Sequence, residues 1–484
     1  MFKTLRNAWR QPELKHKLLF TAFIIIIYRL CSAIPVPYFV SGGFDDLAKG
    51  TILEFFGILS GGAFAQGTLL ALSVSPYITA SIVMQLLTVA IPKLGEKAKQ
   101  GEEGKKFINF WTRIVTIILA VITAFGYALL AFRNGTTWIN NYERVSALKA
   151  DATASAAEPS FEVLKNMYTN PANGEFGSTI FNAPTLGQIF QYWGLAFIVM
   201  VLCYCAGAAI VMWLAEKINE SGLGNGISII LFANIVAGIP SQAIQLYTTV
   251  FTANGFNWVG LVIAICFIIG ILGLLLLIVW MSDGERRIQI QYAKRVVGRK
   301  MFGGQSTNLP IKVNMSGVMP IIFANSIVAV PATIAQLFFP NSGFATFINN
   351  WFNYDTWAYF VVFFLLLIAF AYFYVAISFD PVEVGNNIKN NGGAILGIRP
   401  GAPTVAYIKK VLGRITLLGA LLVAVVACVP MLAGIILSYF PNINTISAMA
   451  FGGSSMMIVI GVAIETMRDL EAQLSLRNYK GFLD

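Results

Sequence analysis

The chain has 484 residues, of which hydrophobic types make up 57% and charged types only 12%. Those proportions exclude a string of ordinary soluble domains and point to a polytopic membrane protein. The net charge of +10 fits lysines and arginines that orient helices in a bilayer better than it fits a nucleic-acid partner.

MFKTLRNAWRQPELKHK opens the chain, and no small-residue cleavage site follows the next apolar run, which predicts a retained first helix over Leu18 to Ile34. Pro35-Val36-Pro37 closes it. Two apolar segments of different kinds follow. ILEFFGIL, from Ile52 to Leu59, is too short to cross a bilayer, whereas Leu69 to Ile91 has the roughly 20 residues a spanning helix needs. Ser60-Gly61-Gly62 between them is a hinge by composition. A short apolar helix that re-enters the membrane is tolerated only where protein or a water-filled cavity surrounds it, so this stretch implies an enclosed pathway. Further spans are expected at Phe107 to Phe132, Ile189 to Ala215, Ile227 to Ile239, Val259 to Met281, Val318 to Phe339, Trp357 to Phe379, Ile415 to Tyr439 and Ile446 to Met467, ten in all. Val145 to Asn182, rich in Ala, Ser, Thr and Asn, reads as an external stretch, either a small ordered cap or disordered.

Ten spans put both termini on one side, and most of the 33 lysines and arginines gather there, in Lys3 to Lys17, Lys93 to Lys106, Arg286 to Lys312 and Lys389 to Arg414. The opposite side has Lys49, Arg133, Arg144, Lys149 and Lys165, so both termini are expected in the cytoplasm. The expected organisation is a cytoplasmic start (1–17), a first half (18–240), a second half (241–467) with cytoplasmic loops at 282–314 and 380–414, and a cytoplasmic tail (468–484). Five spans per half would invert the second half relative to the first. Pro76 in SVSPYITASI and Pro320 in GVMPIIFANSI, each shortly after a small residue, form the kind of paired interruption an inverted repeat carries at its pathway.

The chemistry is sparse. All five cysteines sit in apolar runs as small hydrophobes, the single His16 makes no zinc site, and no GxxxxGK[ST] loop occurs, so no metal and no cofactor are expected. Ionisable residues within spans are few (Arg29, Glu54, Arg113, Glu465), which argues against a proton or sodium relay. Aliphatic side chains at the interrupted spans, Val74, Ile78, Ile227, Leu231, Ile322 and Ile458, either form a dry constriction or serve as ordinary packing or lipid-facing surface. Between Ser282 and Asn314, alternating Ile288, Ile290, Tyr292 and Leu309, Ile311, Val313 predict two strands with the basic tip Lys294 to Lys300. The tip is either a topology determinant or a handle for phosphates or an acidic protein surface. Gly397-Ile-Arg-Pro-Gly401 holds Arg399 on a shaped turn, as docking would require.

In combination, the glycine-hinged short helix, SVSPYITASIVMQLL, GLGNGISII, RRIQIQYAKR with QSTNLPIKVNMSGVMP, and GIRPG resemble the SecY family of bacterial protein-conducting channels along nearly the whole chain. The resemblance implies an all-α membrane protein, with two inverted five-helix halves around an hourglass pore and a re-entrant plug helix. Its waist would be Val74, Ile78, Ile227, Leu231, Ile322 and Ile458, and its plug would lie in Thr51 to Phe64 with Ile52, Leu53, Glu54, Phe55, Phe56, Gly57, Ile58, Leu59, Gly61 and Gly62. Gln85 and Asn325 would form a polar patch at a lateral gate, and Arg295, Arg299, Lys300 and Arg399 would dock the ribosome or the SecA motor ATPase. The further partners implied are SecE and SecG subunits, signal-sequence-bearing unfolded polypeptides and membrane lipid. The chain departs from the family in reading IPVPY where a glycine commonly follows the second proline, in Val74 and Leu231 among isoleucines, and in the insertion at 145–182. The competing reading is a secondary transporter with a midplane site at Gln85 and Asn325.

Overall fold

The structure, a computed structural model, describes residues 2–39, 52–98, 100–133, 186–252, 255–256, 258–292, 295–297, 300–302, 306–339, 342–352, 356–438 and 452–480. The insertion at 145–182, Thr51 and residues 446–451 of the tenth expected span lie outside them.

The first helices are α1 (Phe2–Arg10), α2 (Pro12–Ser32), α3 (Ile52–Ser60), α4 (Ala63–Gln66), α5 (Ser75–Ala90), α6 (Pro92–Ala98), α7 (Glu102–Arg133), α8 (Leu186–Ser221) and α9 (Gly226–Val250). A short pair, β1 (Phe251–Thr252) and β2 (Gly255–Phe256), leads into α10 (Trp258–Asp283). Strands β3 (Glu285–Tyr292), β4 (Arg295–Val297), β5 (Lys300–Phe302) and β6 (Ser306–Lys312) follow, then α11 (Met319–Phe338), α12 (Gly343–Trp351), α13 (Trp357–Ser378), α14 (Pro381–Asn390), β7 (Gly393–Ile395), α15 (Ala402–Ser438) and α16 (Gly452–Lys480). Two compact units emerge: Phe2–Gly238 with Ala329–Asn353, and Ile239–Val328 with Tyr354–Asp484.

Among the described residues, five helical stretches are long and apolar enough to cross a bilayer: Glu102–Phe132, Gly194–Ser221, Ala264–Asp283, Trp357–Asn390 and Ala402–Leu432. Two more apolar helices, Gly226–Ser241 and Met319–Ala335, are shorter, and α5 with α6 forms a pair bent by 109°. The expected count of ten therefore rests in part on segments too short or too charged to qualify alone. The ninth expected span begins as helix at Ala402, well before Ile415, and the second departs from its sequence reading at its start. Leu69 to Val74 forms successive turns, and helix begins only at Ser75. Two residues explain this: Ser73 adopts a left-handed φ of 49°, and Pro76 has no N–H for the carbonyl of Leu72, which Ser75 N meets instead at 3.3 Å. The tenth expected span runs on as helix to Lys480 instead of ending at Met467, and its Arg468 bonds the carbonyl of Ser282 (2.5 Å) and the carboxylate of Asp283 (3.1 Å) at the end of α10.

In the first unit, α7 packs on α5 and α8, and the core between them is aromatic: Phe64, Tyr127, Phe132, Phe197 and Tyr204 are all buried. Gly207 of α8 sits so close to the carbonyl of Leu69 that a Cβ there would overlap it. In the second unit, β3 pairs antiparallel with β6, setting Ile288 opposite Leu309 and Ile290 opposite Thr307, as the alternation predicts. The basic tip carries its own pair, β4 with β5, and β7 adds a third strand to the β3 edge. The two loop segments thus share one core, in which Ile288, Ile290, Ile311 and Ile395 pack with Val375, Ile388, Ile408 and Leu412 from three helices.

Replacing Gly207 by Val forces a side chain into the Leu69 backbone, and overpacking of this kind costs about 1–3 kcal/mol. The G207V protein should show a lower thermal midpoint in detergent than the parent, measured by the fluorescence of its tryptophans.

Candidate functional site

The short helix α3 has nine residues, too few to cross a bilayer, and its last carbonyls lack intrahelical partners. The chain meets them by turning on two glycines. Gly61 (φ 63°) donates to the carbonyl of Ile58 at 3.1 Å, and Gly62 (φ 89°) to that of Gly57 at 2.8 Å. Ser60, fully buried, bridges the hinge: its Oγ donates to Gly57 O at 3.0 Å and accepts from Phe64 N at 2.9 Å. The hinge read from composition is therefore a closed C-cap.

The carbonyl of Leu59 is met from other elements. Asn234 Nδ2 of α9 donates to it at 2.7 Å and Ser73 Oγ at 3.0 Å; the same Nδ2 reaches Tyr28 Oη of α2 at 2.8 Å and lies 3.3 Å from Ser73 Oγ. Tyr28 and Asn234 are 0% exposed and Ser73 is 3% exposed. Next to this cluster the Arg29 guanidinium bonds the carbonyl of Ala233, and a Cβ on Gly61 would lie 2.8 Å from it. Each such bond is worth about 1 kcal/mol net, and a buried amide left unmet costs about 1–3 kcal/mol. Asn234 Oδ1 is itself buried without a partner among the described residues.

On the far side of the hinge, Phe64 seats against Tyr127, with ring centroids 4.8 Å apart, and Tyr127 against Tyr204, also at 4.8 Å. The Tyr127 hydroxyl bonds the carbonyl of Phe64, and Tyr204 Oη that of Gly67 at 3.4 Å. Such edge-on aromatic pairs add about 0.5–1.5 kcal/mol beyond the area they bury.

The aliphatic residues read from the sequence are placed as follows. Val74 and Ile78 are four residues apart at the start of α5, as are Ile227 and Leu231 in α9, so each pair shares one helix face. Val74, Ile78 and Leu231 are buried and Ile227 is partly so; Ile322 of α11 and Ile458 of α16, in the other unit, are buried. Gln85 is half-buried, 3.4 Å from Ser81 Oγ, and Asn325 is buried with neither amide atom partnered among the described residues. Arg295 falls in β4, Lys300 in β5, and Arg299 lies outside the described residues. Arg399 is exposed on a turn between Gly397 (φ 78°) and Gly401 (φ 108°), its carbonyl held by Thr404 Oγ1 at 2.9 Å.

The sequence reading did not single out Tyr28, Ser73, Asn234, Tyr127 or Tyr204. A signal for the first three existed: an asparagine within the apolar run ISIILFANIVAG is costly enough to imply a partner.

Comparison with known proteins agrees with this architecture. A family model described as SecY matches residues 68–467. The protein translocase subunit SecY of Streptomyces griseus is 38% identical over 488 residues, and that of Halalkalibacterium halodurans 36% identical over 485, each alignment covering 100% of both chains. A solved structure described as a protein conducting channel superposes with a TM-score of 0.55 at 17% identity, covering 96% of this chain and 93% of that one. The Sec61 channel of a canine ribosome-channel complex superposes at 0.51 with 16% identity, over 96% and 93%. With a family model over most of its length and full-length relatives above one-third identity, the chain belongs to the SecY family.

Proposed function

We propose that the chain is the channel subunit of a protein translocase in the bacterial cytoplasmic membrane, passing unfolded polypeptides across it and releasing sufficiently apolar segments sideways into lipid. The observation that carries this reading is α3: an apolar helix too short to span, capped and tethered by buried side chains, is what a plug requires. The relatives named as translocase subunits support it over the transporter alternative.

The plug comprises Ile52 to Leu59 with Gly61 and Gly62, and the waist is made by Val74, Ile78, Ile227, Leu231, Ile322 and Ile458. Aliphatic walls exclude ions by dewetting and close around an extended chain without binding it. Two inverted five-helix halves, 18–240 and 241–467, frame the pathway, with both termini cytoplasmic. Gln85 and Asn325 belong to a lateral gate through which a run of roughly 20 apolar residues reaches lipid, where transfer to hydrocarbon favours it. Arg295, Arg299, Lys300 and Arg399 dock the ribosome or a SecA-type motor, which supplies the energy, while SecE and SecG complete the complex. Structures described as Sec61 in a canine ribosome-channel complex and as a yeast Ssh1 complex bound to the 80S ribosome support ribosome docking for this fold.

Deleting Ile52 to Leu59 tests the reading most directly: in planar bilayers the intact complex should be closed and the deleted one leaky or flickering, and equal silence would count against a plugged pore. Arg399→Glu should weaken binding of ribosomes or motor by about 3- to 10-fold at low salt, with the difference shrinking as salt rises, in a sedimentation assay. Asn325→Leu removes a buried amide with no partner among the described residues, so it should raise the thermal midpoint while shifting the hydrophobicity a signal sequence needs for export.

A further inference from the structure

We propose that Asn234 is the positioning residue of the plug, a hydrogen-bond latch that holds α3 in its seat and sets how readily it leaves. The inference rests on reading Ile52 to Leu59 as the plug.

The last turn of α3 satisfies the carbonyls of Gly57 and Ile58 locally, through Gly61, Gly62 and Ser60. Those bonds travel with the helix if it moves. The carbonyl of Leu59 is different, because its partners, Asn234 Nδ2 at 2.7 Å and Ser73 Oγ at 3.0 Å, belong to α9 and to the turn before α5. These are the bonds that displacement must break. Asn234 joins them to α2 as well, through Tyr28 Oη at 2.8 Å, so one amide ties the plug to three separate segments of its unit. Arg29, bonded to the neighbouring carbonyl of Ala233, packs against Gly61, so a side chain there would have to displace its guanidinium.

Two features make this a latch instead of a permanent weld. Ser73 is held at φ 49°, a conformation a non-glycine residue adopts at a cost, in the position from which its hydroxyl reaches Leu59. Asn234 Oδ1 is buried without a partner among the described residues, so part of what Nδ2 contributes is offset by the other half of the same amide. Both features lower the net hold of the latch below the sum of its hydrogen bonds. Every group involved lies in one compact unit, so the latch is complete without the other.

The test is conductance of the complete reconstituted complex in planar bilayers, comparing Asn234→Leu, Tyr28→Phe and Ser73→Gly in the intact chain and in a chain lacking Ile52 to Leu59. In the intact chain Asn234→Leu should raise the open fraction by about tenfold, as loss of one or two buried hydrogen bonds implies. Tyr28→Phe and Ser73→Gly should raise it less. Ser73→Gly removes the hydroxymethyl side chain, and glycine takes the left-handed conformation of that position freely, so it serves if Asn234→Leu fails to assemble. Without the plug, none of the three substitutions should add conductance. A substitution that leaks equally with and without the plug acts on the wall and overturns the latch, as does an intact chain that stays closed with all three. A plug deletion that is itself silent overturns the plug reading and the latch with it. A leaky deletion beside closed single variants overturns the latch alone.

Discussion

The fold is governed by one requirement: a backbone polar group that enters the hydrocarbon layer must find its partner inside the protein. Long helices meet it by themselves except at their ends. The nine-residue α3 is nearly all ends, and its carbonyls draw in Ser60, Gly61, Gly62, Ser73 and Asn234 in turn. The same requirement shapes the next segment. Leu69 to Val74 is turned instead of helical, and it is supported by Leu69 N on the carbonyl of Ile34 (2.8 Å) and by the bridge of Pro35 to Thr68. Gly207 then lets α8 approach that irregular backbone closely. A short apolar helix is in this sense costly to keep in place, and the buried side chains of Ser60, Ser73 and Asn234 serve it.

The second unit solves a different problem, which is how to build one ordered core from two loops. Neither the hairpin of β3 and β6 nor the helix α14 would be stable alone. Each contributes one apolar face to a common core, with β7 joining the hairpin edge and Asp380 capping α14 through Val382 N at 2.9 Å. Arg399 is displayed by a turn whose glycines and Thr404 fix its backbone.

Most of this was legible in the sequence, for physical reasons. Long apolar runs between basic loops mark spans because hydrocarbon tolerates little else, and the helices of Trp357 to Phe379 and Val259 to Met281 follow their expected limits closely, while that of Phe107 to Phe132 starts earlier, at Glu102. The hairpin was legible because alternation in β3 and β6 has a period of two. Hydrophobicity alone misplaced the start of α5, since Leu69 to Val74 is as apolar as a helix and only Ser73 and Pro76 report the break. The latch was hidden because its members, Tyr28, Leu59, Ser73 and Asn234, are spread over two hundred residues of chain, and one of the bonding atoms is a main-chain carbonyl that no residue type announces. The third strand, β7, was hidden likewise, since GAI has no alternation to read.

One element links the exposed and buried ends of the second unit. Helix α15 begins immediately after the Arg399 turn and runs unbroken for 37 residues, with Pro430 only near its far end. At 1.5 Å per residue it is a rod of about 55 Å, longer than the hydrocarbon core is thick. That one helix joins the exposed turn of Arg399 to the buried side chains Val423, Ala424, Ala427 and Cys428. The exposed end and the buried middle are therefore fixed in register with one another by a single run of backbone hydrogen bonds.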